Sequence, residues 1–148
     1  MFAEPLSGFR AVTARPHRTK IDWAHEVAHL LDTRYANTPL ITPVCDNLNR
    51  HTKDAFYEAF PPDKARECMR RINFVYTPKH GSWLNVAECE FSCLTSQCLD
   101  DRRIGAIETL RSEITAWANR TNSKQRTVDW QFTVGKARIK LKRLYPNV

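Results

Sequence analysis

Three stretches of the chain carry residues whose types and spacing suit chemistry. The first is Val44-Cys45-Asp46-Asn47-Leu48-Asn49-Arg50-His51, an acid and an imidazole just after an apolar run. A carboxylate at the C-terminal end of a buried strand sits where open α/β sheets hold their ligands. The same Asp-Asn pair also suits an Asx-turn, and taken alone that plainer reading is favoured. The second stretch runs from Tyr76 to Glu88, where a loop holding Lys79, His80 and Ser82 feeds a helix with Glu88 in its first turn. Asn85-x-x-Glu88 fits a capping box as well as a functional acid, and residue types alone do not separate the two. The third is His25-Glu26-Val27-Ala28-His29, a literal H-E-x-x-H. On a helix it would place both imidazoles where a zinc peptidase needs them, with Glu26 as base. Here His25 and His29 fall on the polar face, Asp32 and Tyr35 stand where an extended motif has Gly and His, and the next Glu downstream is Glu58. Solvated histidines are the expectation, and a zinc metallopeptidase through His25, Glu26 and His29 is the remote alternative.

The elements that must position these residues are read from periodicity and breakers. Met1–Glu4 and Phe9–Arg15 flank Pro5-Leu6-Ser7-Gly8 and read as a hairpin. Lys20–Tyr35 reads as an amphipathic helix, with Ile21, Ala24, Val27, Ala28, Leu31 and Tyr35 on its apolar face. Leu40–Cys45 reads as a buried strand ending at Asp46, although Pro43 cannot donate to a ladder. Helices are expected over Thr52–Phe60 and again from Pro62, and a strand over Ile72–Tyr76. Further helices are expected over Asn85–Leu99 and Ile104–Ala118, and a basic one over Val134–Tyr145, stopped by Pro146. The order β-β-α-β-α-α-β-α-α-α is that of one α/β or α+β domain, undivided by any linker or repeat. Trp23, Trp83, Trp117 and Trp130 are expected as core or half-buried anchors.

Composition narrows the function classes. With 42% hydrophobic and 26% charged residues the chain is globular, which excludes wholesale disorder. No apolar run approaches the roughly 20 residues of a membrane span. The first ten residues lack the apolar stretch of a secretory signal. Five cysteines with no C-x-x-C pair suit free thiols in a reducing cytoplasm, the expected location. Cys89, Cys93 and Cys98 share one helix and read as buried or half-buried thiols. The net charge is +7 and is unevenly spread: residues 124–143 sum to +6, residues 10–20 to +4, and the remainder to −3. Two basic segments on a nearly balanced body point to a polyanion, with nucleic acid the default partner.

The first two stretches together resemble the catalytic domain of mariner-like insertion-sequence transposases of the DDE superfamily. The matching elements are strand-Asp46-Asn47 with His51 a turn later, and Ser82-Trp83-Leu84-Asn85-x-x-Glu88 entering a helix. The closing run Ala137–Pro146 is similar to the end of such proteins. The resemblance covers most of the chain. It implies a ribonuclease-H-like fold, a mixed sheet flanked by helices, with Asp46 and Glu88 as the second and third carboxylates of the triad. No residue matches the first Asp, which the family carries on the central strand. Residues 1–148 are therefore expected to be a catalytic domain truncated at its N-terminus, without a separate N-terminal DNA-binding domain. The 41 residues between Asp46 and Glu88 exceed the usual spacing, and the helices over Thr52–Arg71 account for the excess.

The activity implied is DNA transposition by metal-dependent strand cleavage and strand transfer. In-line displacement at phosphorus uses two Mg²⁺ or Mn²⁺ ions about 3.5–4 Å apart, and hard cations take carboxylate oxygens. Asp46 and Glu88 are the expected catalytic and metal-holding residues, and Lys79, His80, Lys136, Lys140 and Arg143 the expected DNA contacts. With the first Asp unmatched, the chain alone is expected to be inactive. It would be a fragment or one of two split reading frames, partnered by DNA and by an upstream-encoded half. The alternative is a non-catalytic DNA-binding remnant. The sequence leaves the oligomeric state open, a homodimer included.

Overall fold

A computed structural model describes residues 1–46, 51–78 and 84–142. The chain begins with an antiparallel hairpin, β1 (Phe2–Glu4) and β2 (Phe9–Ala11), in the register Phe2↔Ala11. Gly8 makes the turn possible. Its φ is +71°, and a Cβ there would lie 2.6 Å from the backbone carbon of Gln125. The 125–128 segment is laid across the turn, and Val128 N–H donates to the Pro5 carbonyl at 2.8 Å.

Helix α1 (Lys20–Asp32) starts at Thr19, whose side chain accepts from the Asp22 N–H. Asp22 answers by accepting from the Thr19 N–H at 2.9 Å, a closed capping box. Ala24, Val27, Ala28 and Leu31 form the buried face, as expected. Leu30 is buried too, whereas Ile21, assigned to that face from the sequence, is exposed. The face packs on α2 (Asp54–Ala59) and α3 (Pro62–Arg70), closing a core around Ala55, Phe56, Ala65, Cys68 and Ile72. Phe60 turns extended, Pro61 follows, and Pro62 opens α3 at its first position, where a missing N–H costs nothing.

The expected buried strand over Leu40–Cys45 is corrected. Only β3 (Val44–Cys45) is strand, pairing in parallel with β4 (Val75–Tyr76), and Ile41 bridges Ile72 in the same register. Ile41, Pro43 and Cys45 each accept through their carbonyls from the facing chain. The donor that should alternate with them at position 43 is missing, because proline has no N–H, and the ladder splits there. Val44 is 54% exposed and Val75 43%, so the pair lies at the surface rather than between layers. Among the described residues the strands form two separate two-stranded sheets, β1–β2 and β3–β4, in place of one mixed sheet.

A second core lies beyond the hairpin. Helix α4 (Val86–Leu94) runs on through a π-helical turn (Thr95–Leu99), and α5 (Ile107–Ser123) packs against it. Leu94, Cys98, Ile114, Trp117 and Ala118 are buried there against Met1, Val12 and Ala14. The hairpin joins the cores, since Phe2 packs into the first. Helix α6 (Val134–Leu141) belongs to neither, with Val134 71% and Ile139 80% exposed. Trp117 is buried and Trp23 half-buried, as anchors should be, but Trp130 is exposed and touches Phe132 edge-on at 6.4 Å. Cys98 is buried, whereas Cys89 and Cys93 are exposed, contrary to the sequence reading.

Candidate functional site

Asp46 follows β3 directly. The strand end is fixed by the Thr77 N–H donating to the Cys45 carbonyl at 2.8 Å, so the carboxylate leaves the sheet at its C-terminal edge. Its side chain is 19% exposed, and Oδ1 lies 2.5 Å from His51 Nδ1. Both atoms are buried, and neither has a well-formed hydrogen bond. The imidazole is wedged in place: His51 stacks on Trp23 with centroids 5.1 Å apart, and Trp23 rests on Phe56 and Phe74. Tyr76 Oη donates to the His51 carbonyl at 2.8 Å. Burial, followed by the charge of Asp46, pushes the Cys45 thiol up to about 11, so that thiol stays protonated. Residues 47–50, where an Asx-turn would close, lie outside the described residues.

Glu88 stands in the first turn of α4, where the sequence allowed either a cap or a functional acid. Asn85 is the N-cap, and its side chain accepts from the Ala87 N–H at 3.1 Å. The reciprocal bond from the Asn85 N–H to Glu88 is not formed among the described residues, so Glu88 does not complete a capping box. Its side chain is exposed, and no described cation pairs with it.

The orientation of that helix rests on a pair that sequence reasoning missed. Arg10 of β2 and Glu90 meet through two parallel bonds of 2.8 Å, Nε to Oε2 and Nη2 to Oε1. Their side chains are 6% and 8% exposed. Arg10 Nη1 also donates to the carbonyls of Gly8 and Arg126 at 2.6 Å, so the guanidinium is well satisfied. Asn122 of α5 bonds both backbone groups of Arg10 at 2.8 Å, acting as a one-residue strand partner. The sequence signal was slight: an arginine inside a hairpin strand and an acid on the apolar side of a helix.

Other acids are spoken for. Glu4 is bonded by Arg34, Ser7 and Tyr35, and the Arg34 bond above all lowers its carboxyl to about 2. Asp22 caps α1 and faces Arg15. Glu26 of the H-E-x-x-H run is paired with Arg15 at 2.6 Å, while His25 and His29 are exposed and His25 lies edge-on to Phe60.

The expected DNA contacts divide. Lys136 and Lys140 are exposed on α6, and Lys136 Nζ donates to the Gln131 carbonyl at 3.0 Å. Lys79, His80 and Arg143 lie outside the described residues, as do Ser82 and Trp83.

Among the described residues no three His, Cys, Asp or Glu side chains cluster as a metal centre. The donor chemistry nevertheless fits a hard divalent ion. Asp46 offers a half-buried carboxylate at a strand end, and Glu88 offers an exposed one. The two ride on different cores, Asp46 at the edge of the first and Glu88 on the helix that covers the second. No helix among the described residues is long and apolar enough to cross a membrane.

The described residues thus form a mixed α/β chain with small sheets, flanking helices and an acid at a strand end. Residues 3–111 match the family profile of the DDE superfamily endonucleases, and the chain belongs to that family. The match runs from β1 into α5 and includes both Asp46 and Glu88, leaving α6 beyond it. No curated protein and no solved structure matches the chain.

Proposed function

We propose that the chain is the catalytic part of a mariner-like insertion-sequence transposase with a ribonuclease-H-like fold, which cuts and joins DNA at transposon ends and target. The observation that carries the reading is Asp46, a half-buried carboxylate at the C-terminal edge of a parallel strand pair, in a chain of the DDE endonuclease family. Asp46 and Glu88 would hold Mg²⁺ or Mn²⁺, two ions in the complete site. Bound there, the metal would supply activation of the attacking oxygen and stabilisation of the leaving one. The protein's part is to fix the two carboxylates and to hold the phosphate backbone with the basic side chains of α6.

The first acid of the triad has no counterpart in the sequence, and Glu4 and Asp22 are held by their own partners. Full activity therefore calls for a third carboxylate from another strand, of this chain or of a second one, and residues 1–148 alone are read as silent. The rival, a DNA-binding remnant without catalysis, is favoured by the lack of a three-acid cluster among the described residues.

A nicking assay on supercoiled plasmid with Mn²⁺ separates the two. The chain is supplied with an acid-bearing strand, fused or in trans. Nicking should appear and should vanish in Asp46→Asn and in Glu88→Gln, since each swap keeps the shape and removes the charge. Nicking that survives both changes would return Asp46 to a turn residue and Glu88 to the helix surface.

A further inference from the structure

We infer that His51 is a positioning residue for Asp46, holding the carboxylate at the angle from which it takes a divalent cation. The inference rests on the reading of Asp46 as a metal-holding acid and goes beyond it, because the sequence places His51 a turn after Asp46 and gives it no role of its own.

Three observations converge on one imidazole. Nδ1 stands 2.5 Å from Asp46 Oδ1, and neither atom has another hydrogen-bond partner among the described residues. The ring face is fixed by its stack on Trp23, 28° from parallel, and Trp23 is itself held by Phe56 and Phe74 of the first core. The backbone is fixed by the bond from Tyr76, the β4 residue paired with Cys45. A surface histidine has no need of such a frame. The rigid core is thereby connected to the carboxylate through one ring.

With a proton on Nδ1 the imidazole donates to Oδ1, leaving Oδ2 as the oxygen to face an ion. The contact is close but poorly aligned, as such bonds often are before the ligand arrives. Groups that orient a metal-holding side chain from behind are ordinarily worth about 10–100-fold in metal affinity. His51 also lines a groove of about 400 Å³ with Arg15, Arg18, Thr19 and Trp23.

The test uses Mn²⁺ alone, titrated into the 148-residue chain and followed by the paramagnetic resonance of the free ion, with thermal melts of every variant. His51→Phe keeps the ring on Trp23 and removes the donor. His51→Asn gives up the stack and keeps an amide N–H near the Nδ1 position. The inference expects His51→Phe to weaken Mn²⁺ binding about 10–100-fold without lowering the melting temperature, and His51→Asn to stay close to wild type in affinity. Unchanged affinity in His51→Phe, with binding lost in Asp46→Asn, would overturn the role of His51 and leave the metal site standing. Equal loss in His51→Phe and His51→Asn would overturn it too, since the donor would then not be the cause. Unchanged affinity in Asp46→Asn would remove the metal site itself, and the inference with it.

Discussion

Arg10 and Glu90 grip one another through two parallel hydrogen bonds of 2.8 Å in the seam between the hairpin and α4. Residues two apart on an α-helix point roughly 200° from one another. Anchoring Glu90 inward therefore turns Glu88 outward, and the clamp sets the direction of the acid proposed for catalysis. Removing one partner of a buried pair leaves the other charged and unpaired, at a cost of about 3–5 kcal/mol. Glu90→Gln should lower the unfolding free energy by that amount in urea titrations. Glu88→Gln, on the exposed side, should change it by no more than about 0.5 kcal/mol.

Acid should weaken the N-terminal corner through Glu4. The bond from Arg34, helped by Ser7 and Tyr35, holds its carboxyl at about 2, below the ordinary 4.5. A depressed carboxyl stabilises the fold above its unfolded value and loses that contribution as pH falls through the folded one, here between about 4.5 and about 2. Glu4 is half-buried but its main partner Arg34 is exposed, so screening by solvent holds the contribution to about 1 kcal/mol. Glu4→Gln should melt below wild type at neutral pH, and the gap should close through that acid window. A constant gap would mean that packing around Arg34, not charge, is what the substitution removes.

DNA affinity should depend on salt through the basic end of the chain. Lys136 and Lys140 stand exposed on α6, and Arg143 follows three positions further on in the sequence. Each phosphate contact contributes about 0.9 to the log–log slope of affinity against salt. Replacing all three by Ala should flatten the slope by about two to three units, with equal losses on unrelated DNA sequences. An unchanged slope would make the charge a solvated surface only.

The hairpin, α1 and α3 were legible because local signals and packing agree there. Gly8 meets the positive φ its turn demands, Pro62 opens α3, and a 3.6-residue apolar period faces the first core. The Leu40–Cys45 run misleads because its apolar residues read as burial. Pro43 breaks the ladder instead, and Val44 is left at the surface. Asn85-x-x-Glu88 resembled a capping box, yet the closed box formed at Thr19 and Asp22, where the acid is one methylene shorter. The Arg10–Glu90 clamp spans 80 positions, a separation at which no periodicity signals a contact. For the site, both acids could be singled out from sequence, but not that His51 and Trp23 would wedge Asp46 from behind.

The most direct measurement is an anomalous-scattering map of crystals grown with Mn²⁺ and a short DNA duplex. The account predicts a peak coordinated by Asp46 and Glu88, with the two carboxylates on one edge of the fold, about 4–8 Å apart around the ion or ions. A peak that touches neither residue, or carboxylates on opposite sides of the protein, would contradict it.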